Sequence, residues 1–206
     1  KSEKLREALR FHTLLVGGHP MNTSAIYALI HKLEKDGGVW WTKGGTNKLI
    51  AGLVKHFQRL GGTMRIADPV VRVHTIGNKA SEVETHSGWI QHFDAVASNA
   101  DIMHSYRDLL GNTNRGESYA KSLAKKRFSP GLFVVHFGLE GSFPGIPHHM
   151  ILFGPRYKGL LDDIYKRGVL PEDFSIYLHH PSVTDPSMAP EGKSTFYALV
   201  PVAHMG

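Results

Sequence analysis

Cysteine is absent from the 206 residues, which excludes disulfide scaffolds, thiolate catalysis and cysteine-ligated metal centres and fits a reducing compartment. No apolar run reaches the ~18–20 residues that cross a bilayer, so membrane contact from this stretch would be peripheral. Neither G-x-G-x-x-G nor G-x-x-x-x-G-K-[ST] occurs, and H-E-x-x-H and G-x-S-x-G are missing too. The chain therefore carries no recognisable phosphate cradle, zincin helix or hydrolase elbow of its own. An initiator Met and a cleavable signal pattern are also lacking, and "KSEKLREALRFHTLL" reads as the middle of an amphipathic helix. The expectation is an excerpt of a longer protein.

A hydrophobic content of 41% supports a buried core, and the formal charge of +6 suits anionic partners, either nucleic acid or an acidic membrane surface. The densest basic run, Lys121 to Arg127, reads as a solvated helix face, a lipid-headgroup contact or a nucleic-acid patch. No zinc-finger, ribonucleoprotein or helix-turn-helix signature supports the last, so nucleic acid is not an expected partner.

Periodicity predicts helices over the first fifteen residues, over "TSAIYALIHKLEK", and over "NKLIAGLVKHFQRL" with Thr46 as its cap. Ile26, Leu29, Ile30 and Leu33 mark a buried face on the second, and Leu49, Ile50, Leu53, Val54 and Phe57 recur at helical spacing on the third. Short segments rich in β-branched residues follow, "TMRI", "VVRVHTI", "SEVETH" and "WIQHFDAVASNA", which read as a small β-meander with turns at "GNK" and "HSG". Helices are expected at "ADIMHSYRDLL", "GESYAKSLAKKR" and "RYKGLLDDIYKR". Strands are expected at "GLFVVHFGL", "HHMILF", "DFSIYLHHPSV" and "STFYALVPV". No internal repeat or low-complexity tract is present. The fold class expected is α/β with mixed, partly antiparallel sheets.

The glycine pair Gly44-Gly45, followed by a helix and a second pair, Gly61-Gly62, invites a phosphate-binding reading. Its spacing completes neither dinucleotide nor nucleotide fingerprint, so it reads as a helix cap and a helix stop. Fourteen histidines invite a metal reading. His148-His149 and His179-His180 are adjacent, and neighbours on a strand point to opposite faces, so no metal site is assigned. Asp162-Asp163 on one helix diverge and read as a solvated face rather than an acid/base pair.

The stretch "LRFHTLLVGGHPMNTSAIYALIHKLEKDGGVWWTKGGTNKLIAGLVKHFQRLGG" resembles the interior of bacterial phytoene desaturases, in the carotenoid desaturase branch of the flavin-dependent amine oxidase superfamily. So do "AVASNADIMHSYRDLL", "FVVHFGLEG", "HHMILFGPRYKGLLDDIY", "LPEDFSIYLHHPSVTDPSMAPEG" and "FYALVPVAH". The similarity runs over nearly the whole chain. It departs at "WWTKGG", where the family more commonly has Phe-Pro before the basic residue.

The resemblance implies the substrate-domain and partial flavin-domain portion of a flavin-dependent oxidoreductase fold, in three parts. Residues 1–60 form a helical substrate- or membrane-facing region, 61–110 a partial FAD-domain meander and helix, and 111–206 a substrate-binding mixed sheet. It implies FAD as cofactor and the desaturation of phytoene toward lycopene or neurosporene by hydride transfer to flavin. Quinone or oxygen is the implied electron acceptor, and the implied location is peripheral, on the cytoplasmic side of a membrane. By carry-over Val70 gives a backbone contact to the adenine region, although the same residue reads equally as a buried apolar valine. Ala97, Ser98 and Asn99 lie on the segment returning toward the flavin, or else cap the next helix. Phe11, Leu14, Leu15, Phe133, Phe137, Ile176 and Tyr177 are tunnel liners or plain core. The family's dinucleotide fingerprint is expected upstream of Lys1 and its closing flavin motif beyond Gly206. No catalytic acid or base is assigned. Two other readings stay open: a catalytically silent lipid- or carotenoid-binding module, and a related flavin enzyme acting on another carotenoid or an amine. The fingerprint upstream separates the first of these from a flavoenzyme. In the loop "GSFPGIP", Phe143 and Ile146 are expected to dip toward lipid.

Overall fold

A computed structural model describes residues 2–204; the side chain of Leu15 lies outside the described residues. The chain divides into two compact units, one built from residues 1–54 and 128–206, the other from residues 55–127. This division differs from the three-part partition read from the sequence. The two ends of the chain share one unit, and the helix Asn114–Leu123 (α5) falls in the other with the meander.

In the first unit, Ser2 caps helix α1 (Glu3–Arg10) by accepting from Leu5 N, and a 3-10 segment (Phe11–Val16) continues it until Gly17 turns left-handed at φ 74°. A further 3-10 turn (Ala25–Ala28), capped by Ser24, leads into α2 (Leu29–Gly37), and α3 (Thr46–Arg59) runs across the division between the units. The apolar positions Ile26, Leu29, Leu33, Leu49, Ile50, Leu53 and Phe57 are exposed, not buried as their spacing suggested. Periodicity reports which face is apolar, and nothing among the described residues covers these.

The core of this unit lies instead on α6 (Tyr157–Asp162) and the wider turn that continues it to Arg167. Tyr157, Leu160, Leu161 and Ile164 recur at i, i+3, i+4 and i+7, are buried, and pack with Leu14, Met21 and Tyr165. Leu14 is thus core filler here. On the same turn Asp163 is buried between Arg156, at 3.3 Å, and Arg167. The expected solvated aspartate pair therefore holds only for Asp162, which faces Lys166 at 2.7 Å. A buried carboxylate needs such partners to offset its lost hydration.

Four strands complete the unit: β4 (Gly131–Glu140), β5 (His149–Leu152), β6 (Ile176–His179) and β7 (Lys193–Val202), ordered β4-β7-β6-β5 with every pairing antiparallel. The second unit holds β1 (Val70–Ile76), β2 (Lys79–Thr85) and β3 (Ile90–His92), again antiparallel and in chain order. Helix α4 (Ile102–His104) with its continuation to Leu109, and α5, follow. The expected mixture of helices and sheets is observed, with both sheets antiparallel throughout. "TMRI" and the residues after His92, expected as strand, carry no ladder.

The Gly44-Gly45 loop answers its own question. Both residues are left-handed, with φ 83° and 81°, which suits glycine alone. The Gly44 N–H donates to Asp185 Oδ2 at 2.6 Å, and the Trp41 indole donates to the same oxygen at 3.2 Å. The anion at this loop is the protein's own buried carboxylate. Together the Gly44 N–H, the Ser187 hydroxyl and the Trp41 indole hold Asp185 well below the usual carboxylate range. A depressed folded-state pKa gives stability that is present above the unfolded value of about 4 and lost as pH falls below it. Asp185→Asn should therefore be less stable than wild type at neutral pH and converge on it in acid. Denaturant midpoints measured across that range check this, and parallel curves would count against it.

Candidate functional site

Among the described residues, each unit carries a concavity. That of the second unit encloses about 500 Å³ between the sheet and the segment after it, and Val70, Ala97, Ser98 and Asn99 all line it. The sequence separates Val70 from the other three by more than twenty residues, and the fold brings all four to one wall. The remaining lining mixes small residues, among them Ala95 and Ala100, with the aromatic Trp89 and Phe93 and the charged Arg65 and Asp68. Small side chains let a planar ligand approach the backbone closely.

Val70 opens the edge strand β1. Its pairing with Thr85 is flanked by a bond from His86 N to Pro69 O at 2.8 Å, the pattern of a non-hydrogen-bonded antiparallel pair. The N–H and C=O of Val70 therefore point away from β2, toward the open edge. A β-bulge follows at once between Val70 and Arg72. The donor set offered, one outward backbone donor and one acceptor beside small residues, fits the edge of a nucleobase.

The floor is fixed by Asp68. Its carboxylate accepts from Thr85 Oγ1 and Ser87 Oγ, both at 2.8 Å, from Ser87 N at 3.0 Å and from Arg65 at 3.0 Å. Arg65 chiefly, with Ser87 and Thr85, holds this carboxyl well below its usual range. Arg65 in turn lies over the Trp89 ring at 4.2 Å. Sequence reading missed this clasp; the Asp-Pro pair ahead of a strand was its signal. Ser98 bonds Ser105 Oγ at 2.9 Å and accepts from Ala100 N, while Asp101 caps α4. The Ser98 side chain thus serves the start of the helix, and it is Ala97 and Asn99 that flank it on the exposed loop.

The concavity of the first unit encloses about 720 Å³ against the four-stranded sheet, where Phe133, Val200 and Val202 face Leu170 and Phe174. Residues opposed across a ladder share a face, so Phe133, Phe137, Ile176, Phe196 and Val200 lie on this side, with Phe137 stacked on Phe196 at 5.4 Å. Of the tunnel candidates whose side chains are described, only Phe133 lines the hollow itself. Tyr177 points to the other side, and Phe11 is half-buried against His12 at 4.2 Å. Phe143, expected to reach for lipid, turns inward onto Phe196 at 5.9 Å, and Ile146 O accepts from His180 at 2.9 Å. The loop is anchored to the sheet because an aromatic pocket is available to it there.

Adjacent histidines also behave differently from expectation. His179 and His180 do diverge, with His180 stacked on Phe196. His148 precedes β5 in a bend, however, and is free of the strand's alternation, so His148, His149 and His179 converge. A second group, His12, His31 and Glu34, is already engaged: His12 meets Glu34 at 3.3 Å and His31 meets Leu9 O at 2.9 Å.

The family model for flavin containing amine oxidoreductases matches residues 1–206, the entire chain. The chain belongs to that family. It is 57% identical over its full length to a lycopene-forming phytoene desaturase from Paracoccus sp. (strain N81106 / MBIC 01143), of which it spans 41%. It is 42% identical to a neurosporene-forming phytoene desaturase of Cereibacter sphaeroides, of which it spans 40%. The crystal structure of an oxidoreductase from Methanosarcina mazei superposes on 95% of the chain, and on 44% of its own, with a TM-score of 0.67 at 17% identity, which supports the fold. The chain thus spans about two fifths of the length of the curated relatives it matches.

Proposed function

We propose that the protein containing this chain desaturates phytoene, with the 500 Å³ hollow holding the adenine end of FAD and the 720 Å³ hollow holding part of the polyene. The observation that carries the cofactor half is the outward backbone of Val70 on an edge strand beside the Ala97–Asn99 loop. When bound, an oxidised flavin supplies the two-electron acceptor that desaturation requires. What this chain contributes is placement. Val70 offers N–H and C=O to the base, small residues admit its plane, and Phe133, Leu170, Phe174, Val200 and Val202 give a long apolar chain a dry wall. The relatives named above are phytoene desaturases, and the apolar lining here agrees with a hydrocarbon.

In this reading the electrons pass on to a quinone or to oxygen, and the protein works peripherally at a membrane, on its cytoplasmic side. Among the described residues no helix is long and apolar enough to cross a bilayer. Exposed Leu29, Leu33, Val39 and Trp40, the last 88% exposed, offer an apolar patch next to Lys32 and Lys35. This patch replaces the Phe143 loop as the lipid-facing element. A related flavin oxidoreductase on another carotenoid would use the same two hollows and differ in product.

The deciding experiment reconstitutes the whole protein with phytoene in liposomes, recording its absorbance spectrum and products. A flavin spectrum with conversion to longer polyenes is expected. Flavin without conversion of phytoene would reject the substrate, and no flavin would reject the cofactor site. Flotation with anionic vesicles should recover the protein and lose it as salt rises, with Trp40→Ala weakening recovery; vesicle-independent sedimentation would remove the membrane reading.

A further inference from the structure

The sheet face opposite the apolar hollow carries a cluster that the flavin reading does not use. His149 and His179 are opposed across β5 and β6, and the His148 ring lies 4.4 Å from that of His149 and 4.7 Å from that of His179. One ring nitrogen from each lies within 4.8 Å of the other two. Each ring is oriented through its Nδ1: His148 on Thr184 Oγ1 at 2.6 Å, His149 on the Tyr177 hydroxyl at 2.6 Å, and His179 on that same hydroxyl at 3.1 Å. With Nδ1–H donating, Nε2 of each ring is left as the lone-pair atom. His148 Nε2 is buried and has no hydrogen-bond partner.

That arrangement is what metal-binding imidazoles need. A ligating histidine donates its other nitrogen to an outer partner, which fixes tautomer and ring plane, and Thr184 and Tyr177 are already in those places. Among the described residues no carboxylate forms an ion pair with any of the three rings. Burial first, and then the neighbouring imidazoles, hold His148 below the ordinary histidine range and His179 down to about 4.

We propose that His148, His149 and His179 form a three-imidazole site for a divalent transition metal of the zinc class, with Thr184 and Tyr177 as its outer supports. Imidazole suits zinc, cobalt, nickel and copper, whereas calcium and magnesium require oxygen donors. Tetrahedral zinc holds its nitrogens about 3.3 Å apart, so the rings must close somewhat on the ion. His149 is exposed on the edge strand β5 and can make most of that movement. Three protein donors leave one position for water, and the ion would tie β5 to β6 and to the turn at Thr184. The site is independent of flavin.

The test strips the whole protein with a chelator and titrates it with zinc in competition with a chromophoric chelator. One equivalent per chain is expected, unaffected by excess magnesium or calcium. His149→Ala should weaken it by about a hundredfold and Tyr177→Phe by about tenfold, in line with the usual effect of inner and outer partners. His136→Ala, on the same sheet face with its ring 5.4 Å from that of Tyr197 and outside the triad, should change nothing. X-ray absorption at the zinc edge gives a readout free of mutation and should show three imidazole ligands. Absence of stoichiometric binding, an all-oxygen shell, or binding that survives both His148→Ala and His149→Ala would overturn the proposal, since the ion would then sit on others of the fourteen histidines.

Discussion

Residues 1–206 purified alone should emerge from gel filtration without FAD and should form no longer polyene from phytoene, whereas the whole protein should carry one FAD per chain. The expectation follows from what the hollow of the second unit can and cannot hold. It offers one backbone donor and one acceptor at Val70 beside the small residues of the Ala97–Asn99 loop. Nothing in the chain matches the glycine-rich turn on which a dinucleotide's pyrophosphate rests at a helix N-terminus. The Gly44-Gly45 loop cannot take over that task, because Asp185 already accepts from Gly44 N–H and would repel a phosphate. A pair of neutral hydrogen bonds contributes about 1–3 kcal/mol net, far short of the ~8 kcal/mol of a micromolar complex. The isolated chain should also aggregate, since Leu33, Trp40, Leu53, Leu60 and Phe133 are all more than half exposed. Product formed by the isolated chain with added FAD, or one flavin retained per chain, would show a complete cofactor site within these residues and end the argument.

How much of this was legible beforehand divides along physical lines. Helix and strand positions were readable because their signals are local: apolar residues recur at helical or alternating spacing, and "GNK" and "HSG" turn the meander where the ladders turn. Burial was not. An apolar stripe such as Ile26, Leu29 and Leu33 looks the same in sequence whether or not anything within the same 206 residues covers it, and here all three are exposed. The opposite error occurred at Asp163, where an aspartate beside an aspartate looked solvated until Arg156 and Arg167 closed over it. Long-range pairings were the least visible. Asp185 meets Gly44 across 141 positions, and the convergence of His148 with His179 depends on one residue standing just outside a strand. That Val70 and the Ala97–Asn99 loop line one hollow was anticipated because a family resemblance named them together. Spacing alone gave no reason to join them.

The sharpest test of that wall separates backbone from side chain. In the whole protein, Val70→Pro should lower FAD affinity by about tenfold or more, the value of one lost hydrogen bond to a buried base. The β1–β2 ladder should survive, because the N–H that proline removes points away from β2 and proline is tolerated at the first residue of an edge strand. Val70→Ala keeps that N–H and should retain most of the flavin. Ala97→Phe acts differently, by filling the hollow with a ring where the exposed loop has room to carry one, and should abolish flavin retention without unfolding the unit. Flavin content after gel filtration, with circular dichroism to confirm the fold, reads all three. If Val70→Ala lost as much flavin as Val70→Pro, the contact would be apolar packing by the side chain and the outward backbone would have no part in it. If Ala97→Phe kept its flavin, the base would have to sit away from the Ala97–Asn99 loop, because a phenyl ring at Ala97 would take the place of its contact there.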